Sequence, residues 1–167
     1  MTSNTHAAHV WCSENPTITN YFYNGILNEE RYLEFLNTQF RDYWEDPLPL
    51  SITQDMYFQQ DGAPPHNSRI VRNYLNDMFK NRWIGTYGPA IWPPGSPDLS
   101  PLDFFLWGTI KDIIYDTPPR DVNDLKSKVT QTCALISQAK LEEAIKNVIN
   151  RTEICIHAQG SHIEHSL

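Results

Sequence analysis

Two carboxylates occupy positions at which a protein can bind a divalent cation. Asp61 follows the predicted strand 56–60 and precedes a glycine, and Asp103 lies in the first turn of a predicted helix. Ligand-binding groups of open α/β sheets collect at the carboxyl ends of the strands. Mg²⁺ prefers carboxylate oxygens, and two such ions can clamp the attacking and leaving oxygens of a phosphodiester. The two aspartates are therefore candidate metal ligands for phosphoryl chemistry.

Both positions also have ordinary structural explanations. Asp-Gly is a common turn pair, so Asp61 and Gly62 could simply end a strand. The pattern Ser100-x-x-Asp103, with Pro101 at the first helical position, is typical of a capping box. Spacing alone leaves both explanations open at each aspartate.

The segment 66–84 is the locally basic stretch of this chain. Its basic side chains face a single acidic residue, Asp77, and they are Arg69, Arg72, Lys80 and Arg82. Such side chains could contact DNA phosphates, and the alternative is a solvated helix face. The two explanations carry equal weight from the sequence.

Two other sets of side chains are better explained by structure than by chemistry. Three tryptophans could either stack on bases or pack in the core, and they are Trp83, Trp92 and Trp107. Core packing is favoured because aromatic side chains dominate small cores. The tail holds a possible zinc-ligand set, Cys155, His157, His162 and His165. Its spacing fits no standard zinc finger, so a metal role there is not favoured.

The elements that must position these side chains alternate between strands and helices. β-Branched and aromatic residues predict strands at 9–12, 18–23, 56–60 and 90–92. The spacing of apolar residues predicts helices over 28–44, 67–80, 100–114, 122–133 and 141–149. Asn67 is the expected cap of the second helix. This order predicts an α/β sheet with a helical C-terminal part from about residue 120.

Composition excludes several classes of protein. Of the 167 residues, 40% are hydrophobic and 20% are charged, which is typical of a globular chain. A net charge of -7 argues against bulk, non-specific binding to DNA or to a membrane. We expect no membrane-spanning helix and no signal peptide, because no long apolar run occurs. Three widely spaced cysteines argue for a reducing compartment.

Two segments carry a long and specific signature. They are MYFQQDGAPPHNSRIVRNYL at 56–75 and RWIGTYGPAIWPPGSPDLSPLDFFLWG at 82–108. Together they resemble transposases of the mariner superfamily, and among these the insect-type elements. The likeness extends to YFYNGILNEERYLEFL at 21–36 and to RTEICIHAQGSHIEHSL at 151–167. It therefore covers nearly the whole chain from about residue 9.

The resemblance implies a fold and a set of metal ligands. The implied fold is a ribonuclease-H-like mixed sheet flanked by helices, in one partial catalytic domain over 1–167. Asp61 and Asp103 match the second and third of the three acids with which the family binds Mg²⁺ or Mn²⁺. Asp98 belongs to the motif of Asp103 without matching the ligand, and a turn or capping role is favoured for it. His66 matches the histidine that follows the second acid.

The resemblance also implies partners and a location. The implied ligand is DNA, a homodimer is expected, and the expected compartment is the nucleus. Candidate DNA contacts are His66, Arg69 and Arg72. For His66, a position at the metal site or a hydrogen bond that orders the helix start is an equally good explanation.

The first acid of the family has no counterpart in this sequence. In the family it lies in a segment like F-x-D-E, upstream of a V-W-C-G strand, whereas here HVWC stands at 9–12 and no acid precedes Glu14. An alternative register through WCSENP at 11–16 also leaves the first acid out. Asp42, Asp46 and Asp55 lie on a helix end or a loop and do not replace it. We therefore expect a sheet without its first strand, and no helix-turn-helix region.

Three functions follow from these observations. The first is the remnant of a transposase catalytic core, which would cleave DNA and transfer strands if complete and is inactive as this chain. The second is a non-catalytic module that binds nucleic acid or a partner. The third is a fragment without function, whose open sheet edge invites aggregation.

Overall fold

The computed structural model describes residues 5–6, 9–10, 17–18, 20–23, 25–42, 56–93, 95–161 and 163. The chain divides into two compact units. The first unit comprises Met1–His6 and Tyr21–Gly95, and the second comprises Ala7–Asn20 and Ser96–Leu167. The prediction of a single domain over 1–167 stays a prediction, and the two units are described separately.

The first unit pairs a small parallel sheet with two helices. Its strands are β1 (Thr5–His6), β4 (Tyr21–Phe22), β5 (Phe58–Gln59), β6 (Trp83–Gly85) and β7 (Ala90–Ile91). β1 pairs antiparallel with β4, and β5, β6 and β7 form a parallel sheet in that order. Its helices are α1 (Glu29–Phe35), which continues as a π-helical turn at Leu36–Phe40, and α2 (Arg69–Phe79).

The core of the first unit is aromatic and lies between the helices and the sheet. Phe58 of β5 stacks on Phe79 of α2 at a centroid distance of 5.1 Å, and Phe40 meets Phe58 edge-on at 5.2 Å. Val71 and Leu75 add the buried stripe of α2. The alternation along β5 turns Phe58 and Gln60 inward and Gln59 outward, as a period of two requires.

Two glycines allow the chain to turn tightly around Trp83 between β6 and β7. The Gly88 N–H donates to the Gly85 carbonyl oxygen at 3.2 Å, and Trp83 is 1% exposed. A Cβ atom added at either glycine would lie 2.9 Å from a ring atom of Trp83. Side chains are therefore excluded at both positions by the buried indole.

The second unit is mainly helical. A short antiparallel pair, β2 (His9–Val10) with β3 (Thr17–Ile18), accompanies a 3₁₀ turn at Pro97–Leu99 and a π-helical turn at Leu102–Leu106. The helices are α3 (Trp107–Asp116), α4 (Val122–Leu135) and α5 (Gln138–His157). Side chains accept hydrogen bonds from the first turns of α4 and α5, at the cap positions Asp121 and Ser137.

Most predicted elements exist, and several details of the prediction were wrong. β1 and β6 were not predicted, and the predicted strand 18–23 divides into β3 and β4. α5 extends to His157, and Ser68 rather than Asn67 caps α2 by accepting from the Val71 N–H. Asn67 instead donates from its side chain to the Gly62 carbonyl oxygen at 2.9 Å. Part of the predicted helix 28–44 and the positions Asp46 and Asp55 lie outside the described residues. No helix in the described part of the chain is long and apolar enough to cross a membrane.

Candidate metal and nucleic-acid site

Asp61 lies immediately beyond the carboxyl end of the parallel strand β5, on the loop that leads to α2. One oxygen, Oδ1, accepts the Ala63 N–H at 3.0 Å, which is the hydrogen bond of an Asx turn. The turn that Asp-Gly predicts is therefore confirmed. The side chain is nevertheless 60% exposed, so the turn leaves the carboxylate open to solvent.

His66 contacts the same carboxylate from the far end of the loop. Its Nδ1 lies 2.5 Å from Asp61 Oδ1, and its side chain is 15% exposed. Because a carboxylate only accepts hydrogen bonds, Nδ1 carries the proton and donates. Six residues of loop are thus closed into a ring by two hydrogen bonds to one oxygen atom.

Tyr32 and Gln60 hold His66 from the interior of the first unit. The Tyr32 ring lies against the His66 ring with a centroid distance of 4.1 Å, and Gln60 Nε2 donates to the His66 carbonyl oxygen at 2.9 Å. The Tyr32 hydroxyl donates to Gln60 Oε1 at 3.3 Å. Burial raises the pKa of the Tyr32 phenol far above its usual range, and the charge of Asp61 raises it further. The hydroxyl therefore stays protonated and keeps its role as a donor.

Asp103 lies in the second unit, at the start of the π-helical turn that leads into α3. Its N–H donates to the Ser100 carbonyl oxygen at 2.9 Å, and the residue is exposed. An exposed carboxylate in a first helical turn is favourable to the helix and is accessible to a cation. Its predicted role as a metal ligand stays a prediction.

Asp98 is buried in the second unit and holds the C-terminal tail. It is 6% exposed, and its Oδ2 accepts the N–H of the buried Ile163 at 3.0 Å. Arg151 of α5 donates to the Asp98 carbonyl oxygen at 3.0 Å and lies over the Phe104 ring at 4.0 Å. These contacts fix the turn that precedes Asp103, which agrees with the structural role predicted for Asp98.

The four basic side chains of the segment 66–84 have different surroundings. Arg69 and Lys80 are exposed, whereas Arg72 is half-buried with its guanidinium 4.9 Å from the centre of the Tyr87 ring. Arg82 donates to the Met56 carbonyl oxygen at 3.4 Å. Of the predicted DNA contacts, Arg69 is therefore the most accessible to a phosphate. The Arg72 guanidinium lies against the ring of the exposed Tyr87.

Comparison with solved structures decides the fold. The catalytic domain of Mos1 transposase, in a structure with raltegravir and Mg, superposes with a TM-score of 0.80 at 20% sequence identity, over 96% of this chain and 77% of that chain. The Mos1 strand transfer complex gives a TM-score of 0.76 at 20% identity, over 97% of this chain and 45% of that chain. The chain has the fold of a mariner-type transposase catalytic core.

Further comparisons agree with this fold assignment. The Mos1 paired-end complex with the left transposon end matches at a TM-score of 0.76 and 20% identity, over 97% of this chain and 45% of that chain. No family model and no curated protein sequence matches. The resemblance to mariner transposases that the motifs predict is thus confirmed at the level of the fold, and the chain spans less than half the length of the Mos1 chains in these two complexes.

Within the mariner fold, the sequence motifs found some site residues and missed others. Asp61 and His66 were singled out from their motif, and the structure brings them into contact. Tyr32 lies in the predicted helix 28–44 and Gln60 in the predicted strand 56–60, and neither pattern indicates a contact with His66. A signal existed, because strand alternation places Gln60 on the same inward face as Phe58.

The tryptophans and the tail have mostly structural surroundings. Trp83 is buried and its indole N–H donates to Asn76 Oδ1 at 2.9 Å, whereas Trp92 and Trp107 are half-buried. In the tail, His157 Nδ1 lies 2.7 Å from the Glu153 carbonyl oxygen, and His162 and His165 lie outside the described residues. Among described residues, no three histidine, cysteine or acidic side chains are grouped as a metal site.

Proposed function

We propose that this chain is a DNA transposase catalytic core of the mariner type, with a ribonuclease-H-like sheet. One observation carries the proposal, namely the superposition on the Mos1 catalytic domain over 96% of the chain. The motif positions give it residue detail, because Asp61 follows a strand of the parallel sheet and Asp103 opens the helical segment after SPDLSP. The proposed ligands are DNA and a divalent cation.

The chemistry of the two aspartates fits a hard divalent cation. Mg²⁺ and Mn²⁺ take oxygen ligands, and Mg²⁺ is commonly held by one or two carboxylates together with substrate phosphates. Asp61 and Asp103 both expose carboxylates at the ends of elements. A bound cation would polarise a phosphodiester and activate water for attack. Mos1 structures with Mg and with Mn support the choice of metal.

We propose that the chain does not cleave DNA by itself. Its 167 residues supply counterparts of the second and third acids of the family and none of the first. Asp61 and Asp103 are each proposed as cation ligands, whereas the charge stabilisation that a third acid provides is lacking. Removal of a single preorganised hydrogen-bond donor already lowers kcat by about 10²- to 10³-fold, and the loss of a charged ligand is expected to cost at least as much. Nuclear location and a homodimer are part of the same proposal.

The second candidate is a non-catalytic module that binds nucleic acid. It is favoured by the exposed Arg69 and by the pair of Arg72 with the exposed Tyr87 on the first unit. Guanidinium groups contact phosphates, and exposed aromatic rings stack on bases. This module would bind DNA with or without a divalent cation.

Isothermal titration with Mn²⁺ tests the proposal. We expect Asp61→Asn and Asp103→Asn each to weaken Mn²⁺ binding by about tenfold or more, because each removes a charged ligand and loss of an outer-shell partner alone typically costs about that much. Asp77→Asn and Asp112→Asn remove exposed helical carboxylates of α2 and α3 and serve as matched controls with unchanged binding. Equal binding by all four variants would refute the metal site.

A parallel DNA-binding assay separates the two candidates. Binding of a radiolabelled duplex that rises with Mn²⁺ and falls in Asp61→Asn supports the transposase core. Binding that is unchanged by EDTA and unchanged in Asp61→Asn supports the non-catalytic module. The oligomeric state of the chain on that duplex, from analytical ultracentrifugation, tests the dimer.

A further inference from the structure

Three features beyond the acids themselves draw attention. The exposed isoleucines of α5 form an apolar face with nothing to show what covers it, and the Arg72–Tyr87 pair belongs to the DNA-binding proposal already made. The third feature is the chain of contacts that runs from the buried Tyr32 to the exposed Asp61. In it Tyr32 contacts His66, both directly and through Gln60, and His66 contacts Asp61.

We propose that His66 is a positioning residue for Asp61, held in place by Tyr32 and Gln60. The inference rests on the proposed function, because it assigns how the metal-binding carboxylate is oriented. His66 does not touch the reacting atoms in this account. Its imidazole sets the direction of the carboxylate before any cation arrives.

Two hydrogen bonds hold the Asp61 carboxylate in one orientation. Asp61 Oδ1 accepts from His66 Nδ1 at 2.5 Å and from the Ala63 N–H at 3.0 Å. Two donors on one oxygen, from opposite ends of the loop, define the rotation of the carboxylate about its side-chain bonds. Exposure of 60% would otherwise leave an aspartate free to rotate among its rotamers.

His66 is itself held in place by residues in the interior of the first unit. Its ring packs against Tyr32 at a centroid distance of 4.1 Å, and its carbonyl oxygen accepts from Gln60 Nε2 at 2.9 Å. Gln60 is 5% exposed and is in turn oriented by the Tyr32 hydroxyl at 3.3 Å. Tyr32 thus acts twice, once through its ring and once through its hydroxyl group.

The expected loss of metal affinity in a His66 variant can be given a size. Removal of a side chain that orients a metal ligand typically changes the affinity for the metal by about 10- to 100-fold. We therefore expect His66→Ala to weaken Mn²⁺ binding by roughly that factor. His66→Asn retains an N–H donor near the position of Nδ1, so it should recover most of the affinity. Tyr32→Phe keeps the ring and loses the hydroxyl, and it should give a smaller loss.

The experiment measures Mn²⁺ affinity by calorimetry and the His66 tautomer by ¹⁵N NMR of the metal-free chain. His157→Ala, which removes an exposed histidine of α5, is the matched control. Melting temperatures of all variants show whether a loss of affinity reflects unfolding. A protonated Nδ1 in the wild type, together with loss in His66→Ala and recovery in His66→Asn, supports the inference.

Other outcomes overturn it in distinguishable ways. If Asp61→Asn abolishes Mn²⁺ binding while His66→Ala leaves it unchanged, the proposed metal site holds and the positioning role is wrong. A protonated Nε2 with a bare Nδ1 in the wild type has the same consequence. If Asp61→Asn itself leaves Mn²⁺ affinity unchanged, the metal site and the positioning role both fail.

Discussion

Asp61 shows how a local turn and a candidate metal ligand can be the same residue. Its Oδ1 closes an Asx turn and accepts from His66, while the side chain stays exposed. The sequence could locate Asp61 because a strand end followed by glycine is a visible pattern. It could not reveal Tyr32 as a partner of His66, because that contact joins residues distant in sequence and depends on packing.

Substitution of Arg69 is the clearest test of DNA contact by α2. It is exposed on α2, whereas Arg72 is half-buried beside Tyr87. We expect Arg69→Ala to weaken binding of unrelated duplexes by a similar factor and to reduce the slope of log affinity against log salt by about 1. Fluorescence anisotropy over a salt series measures both quantities.

The matched control for this prediction is Lys140→Ala. Lys140 is also an exposed basic residue, at the start of α5 in the second unit. If both substitutions change the slope equally, then the effect reflects overall charge and α2 has no special part in DNA binding.

The strands around Trp83 illustrate why one element escaped prediction. β6 has three residues, and the glycines Gly85 and Gly88 near it read as turn signals in the sequence. The structure shows that both glycines are required by the indole of Trp83, which fills the space a side chain would need. The α/β order was predictable from periodicity, whereas this packing constraint was not.

A pair of glycine substitutions tests this packing. Gly88→Ala places a Cβ atom 2.9 Å from both the Trp83 ring and the Trp83 carbonyl oxygen, so we expect a loss of about 1–3 kcal/mol in the free energy of unfolding. Gly108→Ala adds a methyl group in open space within α3 and should stabilise by up to about 1 kcal/mol. Urea denaturation measures both, and a stable Gly88→Ala variant would contradict the packing.

The turn at Pro97–Leu99 depends on a buried carboxylate that the sequence identified only as a turn residue. Asp98→Ala leaves the buried Ile163 N–H without its acceptor, which costs about 1–3 kcal/mol. Asp112→Ala removes an exposed carboxylate of α3 and should change the free energy of unfolding by less than about 0.5 kcal/mol. Equal midpoints for the two variants in urea would show that the tail is not held through Asp98.

The whole chain combines a net charge of -7 with a proposed ligand that is a polyanion. Such a chain gains little from non-specific attraction to DNA, and cations bound at the proposed site would offset part of the repulsion. The mariner fold was predictable because its motifs span most of the sequence. The choice between the registers through HVWC and WCSENP stays open, because residues 11–16 lie outside the described part of the chain.

Divalent cations should therefore stabilise the folded chain. At a free concentration of about 100 times Kd, binding to the native state alone contributes about 2.7 kcal/mol. We expect Mn²⁺ to raise the melting temperature of the wild type, EDTA to reverse the rise, and Asp61→Asn to abolish it. A rise that persists unchanged in Asp61→Asn would place the stabilising cation elsewhere.

The most direct test of the account is an amide NMR titration with substoichiometric Mn²⁺, whose paramagnetism broadens signals near the bound ion. We predict that signals of residues 60–63 and 102–104 broaden first, and that Asp61→Asn or Asp103→Asn reduces this broadening. The assignment of Asp61 and Asp103 as metal ligands would be contradicted if broadening began elsewhere, such as around Asp112 and Asp116. It would also be contradicted if the broadening were unchanged in both variants.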